Sequence, residues 1–136
     1  MVQLALERLS PAFPPGESVT AGNASQISDG AAAVVVMSAE RAESTGATPM
    51  GRIVGYAHAA NDPGMLFDAP PAAVERLLER TGEKLEEFDL IEVNEAFAAQ
   101  VLANGAALEW DWDRVNVWGG AIALGHPIGA SGARIL

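Results

Sequence analysis

Short apolar runs alternate with segments of helical period from one end of this 136-residue sequence to the other, and that alternation limits the architectures open to it more than any other feature. Val2, Leu6 and Leu9 fall at helical spacing before Ser10-Pro11 and Pro14-Pro15-Gly16 break the helix. Ala31 to Met37 is apolar on consecutive residues, which predicts a strand covered on both faces. Ser38 then caps a short helix closed by Gly46. Arg52 to Tyr56 reads as the next strand. Pro70-Pro71 opens a crossover helix whose face is Val74, Leu77, Leu78 and Thr81, with Gly82 closing it. Phe88 to Val93 and Val115 to Val117 read as further strands, separated by a helical face of Ala96-Phe97, Val101 and Leu108 that Gly105 interrupts. The pattern predicts an α/β fold with a mainly parallel sheet and helices on both faces. The last helix starts at Ile128 and is still in its apolar pattern at Leu136, so a single, incomplete domain is expected.

The formal charge is −10, from 8 basic and 18 acidic residues, and the basic ones are scattered rather than striped. Such a surface repels phosphate backbones and anionic lipid, which disfavours nucleic-acid binding and membrane association. No apolar stretch approaches the ~20 residues that span a bilayer, and the start has no signal-peptide pattern, so a cytoplasmic protein is expected. Cysteine is absent, which removes disulfides, thiolate metal sites and thiol nucleophiles from these residues. No metal-ligand spacing, phosphate loop or nucleophilic-serine elbow is present. His58 has no Gly or Pro framing and reads as structural, Met37, Met50 and Met65 read as core filler, and Trp110 and Trp112 read as packing or interface residues.

Two residues stand out. Asn94 follows the strand Phe88 to Val93 at the carboxyl edge of the expected sheet, where open α/β sheets bind ligands, although an Asn there also serves as a helix N-cap. His126 lies in Gly119-Gly120-Ala121-Ile122-Ala123-Leu124-Gly125-His126-Pro127-Ile128-Gly129-Ala130-Ser131-Gly132. Pro127 holds His126 out of helical geometry, and Gly125 and Gly129 let the backbone bend closely around it. The helix that follows has so little side-chain girth that it could lie deep between other elements. A structural histidine and a functional one both fit this setting.

Three ordered stretches resemble the thiolase family: Val19-Thr20-Ala21-Gly22-Asn23-Ala24-Ser25 running to Asp29-Gly30-Ala31-Ala32, Asn94-Glu95-Ala96-Phe97-Ala98-Ala99-Gln100, and Gly119 to Arg134. The resemblance runs along essentially the whole chain yet covers well under half of a complete thiolase. It implies that about residues 1–46 end the first core half and about 47–136 form the second half, truncated at its C-terminus. A thiolase-like fold of two βαβαβαββ halves in five layers follows, with the small-residue helix after Pro127 among the buried ones. The family implies acyl transfer between acetyl-CoA or acyl-CoA and coenzyme A in fatty acid metabolism, by an oligomer, with no cofactor beyond the coenzyme A thioester substrates and no metal. His126 matches the family histidine that activates a nucleophilic Cys and bonds the thioester oxygen, and Asn94 matches the residue that holds a water in that oxyanion site. Glu95 and Gly125 frame those two donors. Neither family cysteine is among these residues, so the isolated chain is expected to be inactive, and the basic residues that hold pantetheine are absent too. Trp118 stands where the family commonly has Asn, which implies an altered pocket floor. A non-catalytic thiolase remnant acting as a binding or assembly module is the alternative, and a ketosynthase relative fits the glycine-rich histidine loop less well.

Overall fold

A computed structural model describes residues 2–136, the Val2 side chain apart, so the Val2 end of the expected first helical face lies outside the described residues. The described residues form six α-helices, α1 (Val2–Leu6), α2 (Ala39–Thr45), α3 (Ala69–Thr81), α4 (Ala98–Ala107), α5 (Ala121–Leu124) and α6 (Ile128–Ile135), with 3-10 segments at Pro63–Asp68, Leu85–Glu87 and Trp112–Arg114. Local chemistry sets the ends of two of them as expected. Ser38 accepts from the Arg41 amide at the start of α2, and Gly46 and Gly82 close α2 and α3 in the left-handed conformation at φ 67° and 76°. The backbone N–H of Glu40 and the Ser38 hydroxyl hold the Glu40 carboxyl below the ordinary carboxylate range.

The expected strands do not form ladders among the described residues. Parallel pairing occurs at one bridge, Ile91 with Val115, and antiparallel bridges join Pro11 to Thr20 and Ala24 to Phe97. Residues 31–37 make no backbone hydrogen bond to another described segment, and Val35 is 84% exposed. A run read as doubly covered is therefore exposed, because among the described residues no segment supplies ladder partners or a covering face. Met37, Met50 and Met65 are exposed as well, which corrects their assignment to the core. The residues 53–58 instead lie along α3. Arg80 donates to the Tyr56 carbonyl at 3.0 Å with its guanidinium 5.4 Å from the Tyr56 ring centre, and Arg76 donates to the His58 carbonyl.

What packing there is centres on α4. The helix begins at Ala98 after an extended Phe97, and α3 and the Pro63–Asp68 turn pack against it, with Phe67 and Phe97 meeting edge to face at 5.6 Å. Gly105 does not interrupt α4. It lies on the buried face, where a Cβ would run into the indole of Trp112 and come within 2.9 Å of that of Trp110. The two indoles pack edge to face on each other at 5.9 Å, and Trp110 is 8% exposed. Helix α6 is buried only through Ala130 and Ser131, while Gly129 and Gly132 have nothing within 4 Å of a built Cβ. The expectation of a helix enclosed on all sides is thus met on one face.

Two alanine substitutions should move stability in opposite directions. Gly105→Ala forces a rigid indole aside and should destabilise the chain by about 1–3 kcal/mol. Gly132→Ala enters open space in a helix and should stabilise it by about 0.5–1 kcal/mol. Urea unfolding followed by circular dichroism reads both, and equal effects of one sign would contradict the packing described.

Candidate functional site

Asn94 reaches its position through a clamp on both sides. On one side Ile91 donates to the Arg114 carbonyl at 2.9 Å, Asn116 donates back to the Ile91 carbonyl at 2.9 Å, and the Val93 amide donates to Asn116 Oδ1 at 2.7 Å. Asn116 itself sits at φ 48°, a left-handed conformation that Asn tolerates better than most residues. On the other side Ser25 donates to the Ala96 carbonyl at 2.8 Å and Ala98 to the Asn23 carbonyl at 2.9 Å. Asn94 is not the N-cap of α4, since that helix starts four residues later with Phe97 at the cap. Its side chain is free for another purpose.

The turn that carries His126 is fastened to the same segment. Glu95 Oε2 accepts from the Ile122 amide at 3.3 Å, in the first turn of α5, and Gly120 lies so close to Glu95 that a Cβ would overlap its side chain. Gly125 follows α5 at φ 87°, where a side chain would be strained and would also strike Ser28. Arg134, in the last turn of α6, donates to the Gly125 carbonyl at 2.9 Å. Pro127 lies over Gly30, whose built Cβ would come within 2.7 Å of the proline ring. Gly125 and Pro127, on either side of His126 in the chain, thus both lie against residues 28–30.

The structure brings the two candidates together. Asn94 Nδ2 lies 3.2 Å from His126 Nε2, across 32 residues of sequence. Asn94 Oδ1 is buried and has no hydrogen-bond partner among the described residues. The other ring nitrogen, Nδ1, is 2.7 Å from Ser131 Oγ, and that hydroxyl is 3.1 Å from the Pro127 carbonyl. Glu95 and Gly125 hold the two loops and do not touch the imidazole through their side chains. Sequence reasoning missed Ser131 and Arg134 as contacts. Ser131 lies five residues after His126 and Arg134 nine after the Gly125 whose carbonyl it bonds, both on the helix that follows, and that nearness was the available signal. An unsatisfied buried carbonyl next to a fixed imidazole is a place for a water or a ligand donor. Among the described residues no three of His, Asp and Glu converge as metal ligands, and no helix is long and apolar enough to cross a membrane.

Comparison with known proteins gives this geometry its class. The family description "Thiolase, C-terminal domain" matches residues 47–136, and "Thiolase, N-terminal domain" matches residues 2–40. The chain belongs to the thiolase family. It is 58% identical over 132 residues to the acetyl-CoA acetyltransferase of Pseudomonas aeruginosa, covering 97% of this chain and 34% of that protein. A probable acetyl-CoA acetyltransferase of Escherichia coli is also 58% identical over 131 residues, covering 96% of this chain and 33% of the relative. Among solved structures, the Bacillus anthracis acetyl-CoA acetyltransferase superposes with a TM-score of 0.92 at 49% identity over 97% of this chain and 34% of its own. Human mitochondrial 3-ketoacyl-CoA thiolase in complex with CoA gives 0.86 at 40% identity, over 97% and 33%. The chain thus has a thiolase-like α/β fold and spans about a third of the length of these relatives.

The Glu95 tether has a measurable consequence. Glu95→Ala removes the acceptor for the first turn of α5 and should destabilise the chain by about 0.5–2 kcal/mol, whereas Glu95→Gln keeps an acceptor and should recover most of that. Chemical denaturation of the two variants checks this, and an Ala variant as stable as the parent would contradict the tether.

Proposed function

We propose that this chain supplies the imidazole and carboxamide of a thiolase active site that moves acyl groups between CoA thioesters and coenzyme A. The observation that carries the reading is the 3.2 Å approach of Asn94 to His126 beside a buried, unpartnered Asn94 Oδ1. In this reading residues 1–46 end the first core half and 47–136 belong to the second. The rest of the site comes from sequence outside these residues, since they contain no cysteine.

The chemistry accounts for the residue types. A thiol is only weakly ionised near neutrality, so a neighbouring imidazole that accepts its proton raises the thiolate fraction. Attack on a thioester, or loss of its α-proton, leaves negative charge on the carbonyl oxygen. Fixed donors aimed at that oxygen are worth on the order of 3 kcal/mol each. His126, once protonated on Nε2, is one such donor. A water bound to Asn94 Oδ1 through one proton presents its other proton as the second. Claisen condensation and thiolysis are the two directions of this reaction, with coenzyme A thioesters as substrates and no further cofactor. A homo-oligomer in the cytoplasm is part of the same proposal.

The test sets these 136 residues into the Pseudomonas aeruginosa relative in place of the third they match, and follows thiolysis. The chimera should turn over, and His126→Ala or Asn94→Ala should each lower kcat/KM by roughly 10²–10³-fold. The 136 residues alone should show none. Turnover by the isolated chain, or full activity in both variants, would contradict the proposal. A folded but inactive chimera would favour the non-catalytic remnant.

A further inference from the structure

We propose that Ser131 sets the tautomer of His126, keeping its proton on Nδ1 so that Nε2 faces Asn94 as a base. Ser131 is 3% exposed, lies on α6, and reaches back to the residue that ends the preceding turn. Its Oγ is 2.7 Å from His126 Nδ1 and 3.1 Å from the Pro127 carbonyl oxygen, the i−4 acceptor that helical serines commonly use.

A hydroxyl has one proton to give. If Ser131 donates it to Pro127, its lone pair accepts from Nδ1–H. Nε2 then carries a lone pair, and the Asn94 Nδ2–H donates to it across 3.2 Å. All three contacts become hydrogen bonds. If Ser131 donates to Nδ1 instead, the Pro127 contact loses its proton and Nε2–H points at an N–H of Asn94. The first arrangement makes a hydrogen bond of each of the three contacts and leaves Asn94 Oδ1 open, whereas the second opposes two donors at part-buried positions. Ser131 is a positioning residue here, acting through the imidazole rather than on a substrate.

The consequence for chemistry rests on the thiolase reading above. With the proton fixed on Nδ1, Nε2 can accept the proton of a cysteine thiol supplied by the rest of the protein. The S–H bond breaks, an Nε2–H bond forms, and the electron pair stays on sulfur as thiolate. The resulting imidazolium keeps its Nδ1–H bond to Ser131 Oγ, so no heavy atom has to move on that side of the ring.

Long-range 1H–15N correlation spectra of the 136-residue chain, labelled at histidine, read the tautomer directly. The chain holds two histidines, and His58→Gln identifies the His126 signal. The parent and Ser131→Thr, which keeps the hydroxyl, should both show the Nδ1–H form, and Ser131→Ala should move toward Nε2–H. Should the Ala variant lose its folded amide spectrum, Ser131→Cys carries the test, because a thiol is a weaker acceptor and should shift the ratio part of the way. An Nε2–H form in the parent, or an unchanged Nδ1–H form once the hydroxyl is removed, overturns the proposal. In the chimera Ser131→Ala should lower kcat/KM by about 10–100-fold, with Ser131→Thr restoring it. The spectra need no turnover, so an inactive chimera with the expected tautomer would count against the thiolase reading alone, and an active one with the wrong tautomer against Ser131 alone.

Discussion

The site depends on one contact between residues far apart in sequence, the approach of the Asn94 amide to the His126 imidazole. Neither side chain could be held there by its own loop. Asn94 is fixed by the reciprocal bonds between Ile91 and residues 114–116 and by Asn23 and Ser25 on the opposite flank. His126 is fixed by Glu95 at α5, by Arg134 at the Gly125 carbonyl and by Ser131 at its own ring. Backbone groups take part in nearly all of these anchors, which limits the rotamer freedom that would otherwise blur the distance between the two functional groups.

This rigidity is local. Apart from Ala42 on α2, the buried apolar residues among those described are Val101 on α4, Trp110, Ala121 on α5 and Ala130 on α6, whereas Val34, Val35, Val36, Ile53 and Val54 are exposed. The site therefore lies where the chain is better buried. Exposed apolar surface of this extent marks a region meant to be covered. The site is held by hydrogen bonds and close glycine contacts rather than by a large core, so single substitutions at Gly120 or Gly125 would disturb it more than changes along 31–37.

Helix ends were legible in the sequence because they depend on neighbours within a few residues. Ser38 and Gly46 bound α2, and Gly82 closes α3, where capping chemistry says they should. Strands were not, because a ladder belongs to two segments at once. The apolar run 31–37 records a preference for cover, and whether cover exists depends on what lies alongside. Gly105 shows the same limit: its sequence context reads as a helix break, and only the position of Trp112 reveals that the helix needs a residue without a Cβ there. His126 stood out by its Gly and Pro framing and Asn94 by its place after the apolar run 88–93, and what the sequence did not hold was the distance between them. Ser131 did not stand out, since a serine in a small-residue helix looks like filler until its hydroxyl is seen 2.7 Å from the ring.

If the imidazole and the carboxamide serve one developing oxyanion, their contributions to the rate must be coupled. A double-mutant cycle on His126→Ala and Asn94→Ala, measured as kcat/KM for thiolysis with these residues set in the Pseudomonas aeruginosa relative, tests that most directly. The account predicts a double variant clearly less impaired than the product of the two single losses, because removing either partner already disables the shared position. Losses that multiply independently would show that the two side chains, though 3.2 Å apart, do not act on the same oxygen.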